Sequence, residues 1–139
     1  MDKKLNILFL ASWYPSKVSS QAGNFIRNHA QAVAQECDVA LLHAVSRVQE
    51  EDIQVESQQM EGVFDVVIYY KKIKGKGPFA NRKKFKAQMR AYSEGYAIAQ
   101  RQMGKFDLCH LNVSFPAGMF ATALKLSLIH ISEPTRQKP

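Results

Sequence analysis

At 139 residues the chain fits one domain, long enough to bury an ordinary core. Its 46% hydrophobic and 22% charged content is that of a globular protein rather than a disordered or fibrous one. No stretch approaches the roughly 20 apolar residues of a transmembrane helix.

Two widely separated cysteines, Cys37 and Cys109, form no metal-binding or redox spacing and are expected as reduced, buried thiols of a cytosolic protein. The net charge of +7 is concentrated. Between Lys71 and Arg90 stand nine Lys or Arg residues (71, 72, 74, 76, 82, 83, 84, 86 and 90) and no acid. Such a run attracts anionic lipid head groups or nucleic acid, and serves equally as a solvated loop and helix start.

The first elements follow from apolar patterning. Met1 to Lys4 and the apolar run after them superficially resemble a signal peptide, but the run is too short and Trp13-Tyr14-Pro15 is no cleavage site. The spacing instead predicts a buried first strand over Leu5–Ala11 and a loop over Ser12–Ala22. Asn24 is the N-cap of a helix running to about Gln35, with Ile26, Ala30 and Val33 on its core face. Asp38–Val45 reads as a second strand and Ser46–Glu51 as a polar loop. Ile53–Ser57 and Val63–Tyr70 read as two more strands around Met60-Glu61-Gly62, where Gly62 favours a tight turn.

Gly75 to Pro78 is a basic linker, followed by a long helix from about Asn81 to Met103. Phe85, Met89, Tyr92, Tyr96, Ala99 and Met103 share one of its faces, a stripe expected to be core. Gly104 ends that helix. Phe106–Val113 is a strand, and Pro116 opens a helix from about Ala117 to Lys125. Strands alternating with helices predict an α/β fold, a Rossmann-like doubly wound and mostly parallel sheet with a β-hairpin. The segment Leu126 to Arg136 matches a translated transposase-adapter DNA over eleven consecutive residues. It is therefore expected to be a non-native tail, with residues 1–125 an incomplete domain whose gene continued.

Two strand ends carry the candidate chemistry. The first is the loop ending at Gly23 and Asn24. A helix starting beside a glycine offers backbone N–H groups to an anion, although Gly23 would serve equally as a loop residue with positive φ. The several glycines of a dinucleotide fingerprint are absent after the first strand, which counts against a nicotinamide or flavin dehydrogenase. The second is the strand end at His110 and Asn112, which share one face and need partners if buried, from the core or from a ligand. His29 and His43 read as packing residues. No paired carboxylates, nucleophile elbow or metal-ligand cluster stands in the sequence, which gives little support to hydrolysis or metal catalysis.

Taken together, "ILFLASWYPS", "AGNFIRNHAQAVA", "DVALLHAV" and "FDLCHLNVSFPAGMFATALK" resemble the N-terminal, acceptor-side domain of family-four retaining glycosyltransferases of the GT-B fold, from about residue 5 to Lys125. The resemblance implies transfer of a sugar from a nucleotide-sugar co-substrate to a glycan or lipid-linked acceptor hydroxyl, in cell-envelope or polysaccharide synthesis. It implies a cytoplasmic enzyme at the inner face of a membrane, touching it through Lys71 to Arg90, with no nucleic acid partner, no metal and no separate cofactor. By position, Gly23 and Asn24 match the glycine loop near the donor phosphates, and His110 and Asn112 the strand end lining the sugar pocket. Many relatives carry a second histidine where this chain has Asn112. The family's paired-glutamate motif belongs to a C-terminal domain that this sequence lacks, so the chain alone is expected to be inactive. The alternative is a non-enzymatic Rossmann-like module using its basic segment on nucleic acid or an anionic membrane.

Overall fold

The computed structural model describes residues 4–11, 14, 16 and 24–112, the side chains of Asn24 and Asn112 excepted. These form β1 (Asn6–Ala11), α1 (Asn24–Val33), β2 (Asp38–Arg47), β3 (Ile53–Met60), β4 (Val63–Lys71), α2 (Pro78–Met103) and β5 (Leu108–Asn112). The helix expected over Ala117–Lys125 and the tail after it lie outside the described residues.

The five strands make one sheet in the order β3-β4-β2-β1-β5. β1 runs parallel to β2 and β5, and β2 parallel to β4; β3 joins the edge antiparallel to β4. The fold is thus mixed α/β with a mostly parallel sheet.

Alternation along the strands divides the core into two layers. Leu8 and Leu10 of β1, Ala40 and Leu42 of β2, and Val66 and Ile68 of β4 pack against Ala91, Tyr92 and Ala99 of α2. Phe9 and Ala11, Val39 and Leu41, and Val67 and Tyr69 face the other way, against Ile26 and Ala30 of α1. Near-continuous apolar strands are what a sheet covered on both faces requires.

Local chemistry sets the connections. The β3–β4 hairpin turns through Glu61 and Gly62, both with positive φ (50° and 81°), and Met60 pairs with Val63 across it. That two-residue geometry matches strand twist and favours glycine at its second position. Helix α2 begins at Pro78 rather than near Asn81, because a proline at the first turn forfeits no helical hydrogen bond. Its far end is tied down by β1: the Asn6 side-chain amide donates to the carbonyls of Met103 (2.8 Å) and Lys105 (3.0 Å).

Two expectations about burial are corrected. Phe85 is 40% exposed, and the buried positions of α2 start only at Ala91. A 26-residue helix is roughly 39 Å long, against roughly 33 Å for the longest strand, so its first turns overhang the sheet. Cys109 is exposed and Cys37 half-buried, both as free thiols. Cys109 lies on β5, the outer strand of the described sheet, as do exposed Leu108 and Leu111. Among the described residues no helix is long and apolar enough to cross a membrane.

Candidate functional site

The parallel strands are laid down as β1, β2, β4, and the chain then returns to place β5 on the other side of β1. The strand order therefore reverses its direction between β1 and β5. In open α/β sheets ligands bind beyond the carboxyl ends of the strands at such a reversal. Here those ends are Ala11 and Asn112, paired in register, and α1 starts at Asn24 after the β1 connection.

Strand register assembles two polar-studded rows under α1. One runs Gln58, Asp65, Leu41, Phe9, His110, and the next runs Glu56, Val67, His43, Ala11, Asn112. At the reversal, the His110 ring lies 4.8 Å from the Phe9 ring and 5.3 Å from that of His29 on α1. His29 in turn meets Phe9 edge-on at 5.6 Å. These are ordinary aromatic packing distances, and they put two imidazoles at one sheet corner.

Ala11 ends β1 with a doubly used carbonyl. It accepts from His43 Nδ1 at 2.9 Å and from the Tyr92 hydroxyl at 3.0 Å, one donor from each face of the sheet. The strand end is thereby clamped in place beneath the reversal. A carbonyl partner requires the proton on Nδ1, leaving Nε2 as the acceptor of the neutral ring. Burial holds the pKa of His43 below the ordinary 6.5, against the opposing bond to Ala11.

Between the lowered native value and 6.5 the unfolded chain binds more protons, so stability is complete above 6.5 and lost as pH falls through that window. His43→Asn keeps a donor to Ala11 without the titration. Urea unfolding of the variant should show that acid limb removed; an unchanged limb would assign it elsewhere.

A second buried polar group lies below the first turn of α1. Tyr14 and Asp65 are almost fully buried, and the Tyr14 hydroxyl donates to Asp65 Oδ2 at 2.9 Å. Arg27 Nε donates to the Tyr14 oxygen at 3.3 Å, with the guanidinium 5.1 Å from the ring centre. Burial raises the Asp65 carboxyl above its usual range, opposed by the bond from Tyr14 and the charge of Arg27. Gln58, across the strand pair, also favours the charged form without making a bond of good geometry, and Asp65 Oδ1 stays without a hydrogen-bond partner among the described residues. Burial likewise raises Tyr14, so the phenol stays protonated and remains a donor.

The structure treats the expected site residues unequally. His110 is brought to the reversal but is exposed on the outer strand, so water can satisfy its ring and no burial cost demands a ligand there. Asn112 is the last residue of β5, and Asn24 the first of α1; their side chains lie outside the description. Gly23 is outside the described residues, and with it the expected convergence of positions 23 and 110–112 on one pocket.

Sequence reasoning read His29 as a packing residue, in keeping with its ring contacts, without seeing that it meets His110, and it missed Tyr14, Arg27 and Asp65. Two signals were there to be read. His29 follows core-facing Ile26 by three positions, and Asp65 is an acid set inside the apolar run Val63–Ile68. In comparison with known proteins, no family model, no curated protein and no solved structure matches this chain.

Proposed function

We propose that this chain is the acceptor-side half of a retaining glycosyltransferase of the GT-B type. In that reading the sheet is the doubly wound Rossmann-like layer, and its reversal point is the floor of a sugar pocket. The supporting observation is the placement of His110 and Phe9 on the paired strands β5 and β1 at the reversal, with His29 of α1 in ring contact with both. Imidazoles there can hydrogen-bond sugar hydroxyls, and the Phe9 ring gives them an apolar backing. His110 and Asn112 would orient the transferred sugar, and Gly23 and Asn24 would meet donor phosphate at the helix start. A second Rossmann-like domain would supply the nucleotide-binding wall and the charges that stabilise the departing phosphate. The acceptor would be a glycan or a lipid-linked, anionic molecule drawn to the cations of residues 71–90 at a membrane surface.

The test uses the chain as it stands. Ring resonances of His110 and His29 should shift on addition of hexoses and vanish from the response in His110→Ala. Sugar nucleotides should show no saturable binding to this half-cleft. Tight, saturable binding of a nucleotide without any response to hexoses would reverse the assignment.

One observation favours a second reading, a non-enzymatic module for nucleic acid or an anionic membrane. Phe79 is 86% and Phe85 40% exposed, interleaved with Arg82, Lys83 and Lys86 on the overhanging start of α2. Aromatic rings among cations are what single-strand binders and interfacial helices both present. Affinity that collapses with added salt is its signature.

A further inference from the structure

The nine cations of residues 71–90 do not all do the same thing. Lys71, Lys72, Lys84 and Arg90 line a groove between α2 and the carboxyl ends of β2 and β4, whereas Lys74, Lys76, Arg82, Lys83 and Lys86 do not line it. The groove has two lobes that share Tyr70, Lys72 and Ile73. The smaller, about 150 Å³, is walled by Ser46, Tyr70, Lys72, Ile73 and Lys84 and contains no acid. The larger, about 300 Å³, adds Asp52, Ile53, Ala87 and Arg90. This lies on the α2 face of the sheet, opposite the layer that holds His29, Asp65 and His110.

From this division we infer a binding site for a phosphate monoester whose other end carries hydroxyl groups. The smaller lobe takes the phosphate. Lys72, just past β4, and Lys84, on α2, supply charge, and the Tyr70 hydroxyl supplies a neutral donor while the Ser46 hydroxyl is directed at its oxygen. Register fixes that pair of hydroxyls, since Ser46 and Tyr70 are direct cross-strand partners. Lys84 is held in position because its Nζ donates to the Gly75 carbonyl at 2.8 Å, which leaves donors over for a ligand. Burial keeps the Tyr70 phenol protonated and therefore able to donate.

The larger lobe explains the rest of the ligand. Asp52 would repel a second phosphate there, yet its carboxylate is a natural acceptor for hydroxyls. Ile53, Ile73, Ala87 and the Tyr70 ring give the carbon skeleton an apolar wall. A volume near 300 Å³ is at the small end for ligand sites, fit for a compact polyol phosphate rather than a polymer. The site does not depend on sugar transfer at the other face.

The same chemistry has two sources, a soluble polyol phosphate and the head group of an anionic lipid. Glycerol phosphate and vesicles of a phosphatidylinositol monophosphate in phosphatidylcholine separate them, each titrated into the full chain with backbone amide resonances observed. Saturable binding of glycerol phosphate, with shifts at Ser46, Tyr70 and Lys72 and none from glycerol, supports a soluble ligand. Vesicle binding without it, still dependent on Lys72 and Lys84, supports the head group. The double variant K72Q/K84Q should weaken whichever binds by at least about tenfold, and Y70F more modestly, while K83Q/K86Q should leave glycerol phosphate binding within about twofold. Equal losses in the two double variants, or binding of neither probe, overturns the site.

Discussion

Gly95→Val destabilises the chain by about 3 kcal/mol, because the long helix closely approaches the sheet at a position that has no side chain. A Cβ built at Gly95 falls 2.1 Å from Leu42 Cδ1 and 3.0 Å from Ile68 Cγ1. Leu42 and Ile68 are fully buried, so neither has free space to turn into. Even alanine overlaps Leu42, although its better helix propensity returns about 1 kcal/mol. Valine adds two further methyls to the same collision. The assignment of cause is testable by a double variant. Leu42→Ala alone costs about 2 to 5 kcal/mol through the cavity it leaves. Combined with Gly95→Val, the total should fall short of the sum by about 1 to 3 kcal/mol, as the new side chain occupies the vacated space. Urea unfolding of the four species measures this, and simple additivity would show that the helix can lift away from β2.

That close approach also shows what a sequence can reveal of this fold. The periodicity of α2 pointed to Tyr92, Tyr96 and Ala99 as inward-facing, and the structure packs them on the sheet. It could not show that Gly95, about one helical turn from both Tyr92 and Ala99, marks the contact itself. Period alone also carried the stripe back to Phe85, because hydrophobic spacing does not say where a helix outruns its sheet. The strands were legible for a simpler reason: β1, β2 and β4 are apolar on both faces, which only a covered parallel sheet demands. The hairpin followed from Gly62.

The candidate site was harder to read. His110 was found because it stands at a strand end, a local feature. Its partner His29 comes from α1, and only strand order brings the two within ring contact. The Tyr14–Asp65 pair spans 51 residues and belongs to no motif. What the sequence did offer was an acid inside an apolar strand, an exception that calls for a partner by its energetic cost alone.

Tyr14→Phe should cost about 3 kcal/mol at neutral pH, since it strips Asp65 of the one side-chain hydrogen bond that it accepts with good geometry among the described residues. The cost should shrink in acid, and the reason lies in the direction of the Asp65 shift. The native carboxyl binds its proton more tightly than the unfolded one, whose ordinary value is 3.8. Between 3.8 and the raised native value the folded chain holds the extra proton, so stability declines as pH rises through that range. The Tyr14 bond favours the charged form and limits the decline. Without it the native value climbs further and the decline extends to higher pH. Asp65→Asn removes the ionisable group and keeps an acceptor for Tyr14, so in that background Tyr14→Phe should cost only about 1 kcal/mol, independent of pH. Because the buried His43 imposes a slope of opposite sign, the series is best run with His43→Asn present throughout. A Tyr14→Phe penalty identical at every pH, or unchanged by Asp65→Asn, would mean that Tyr14 acts by packing alone and that another group holds the buried charge.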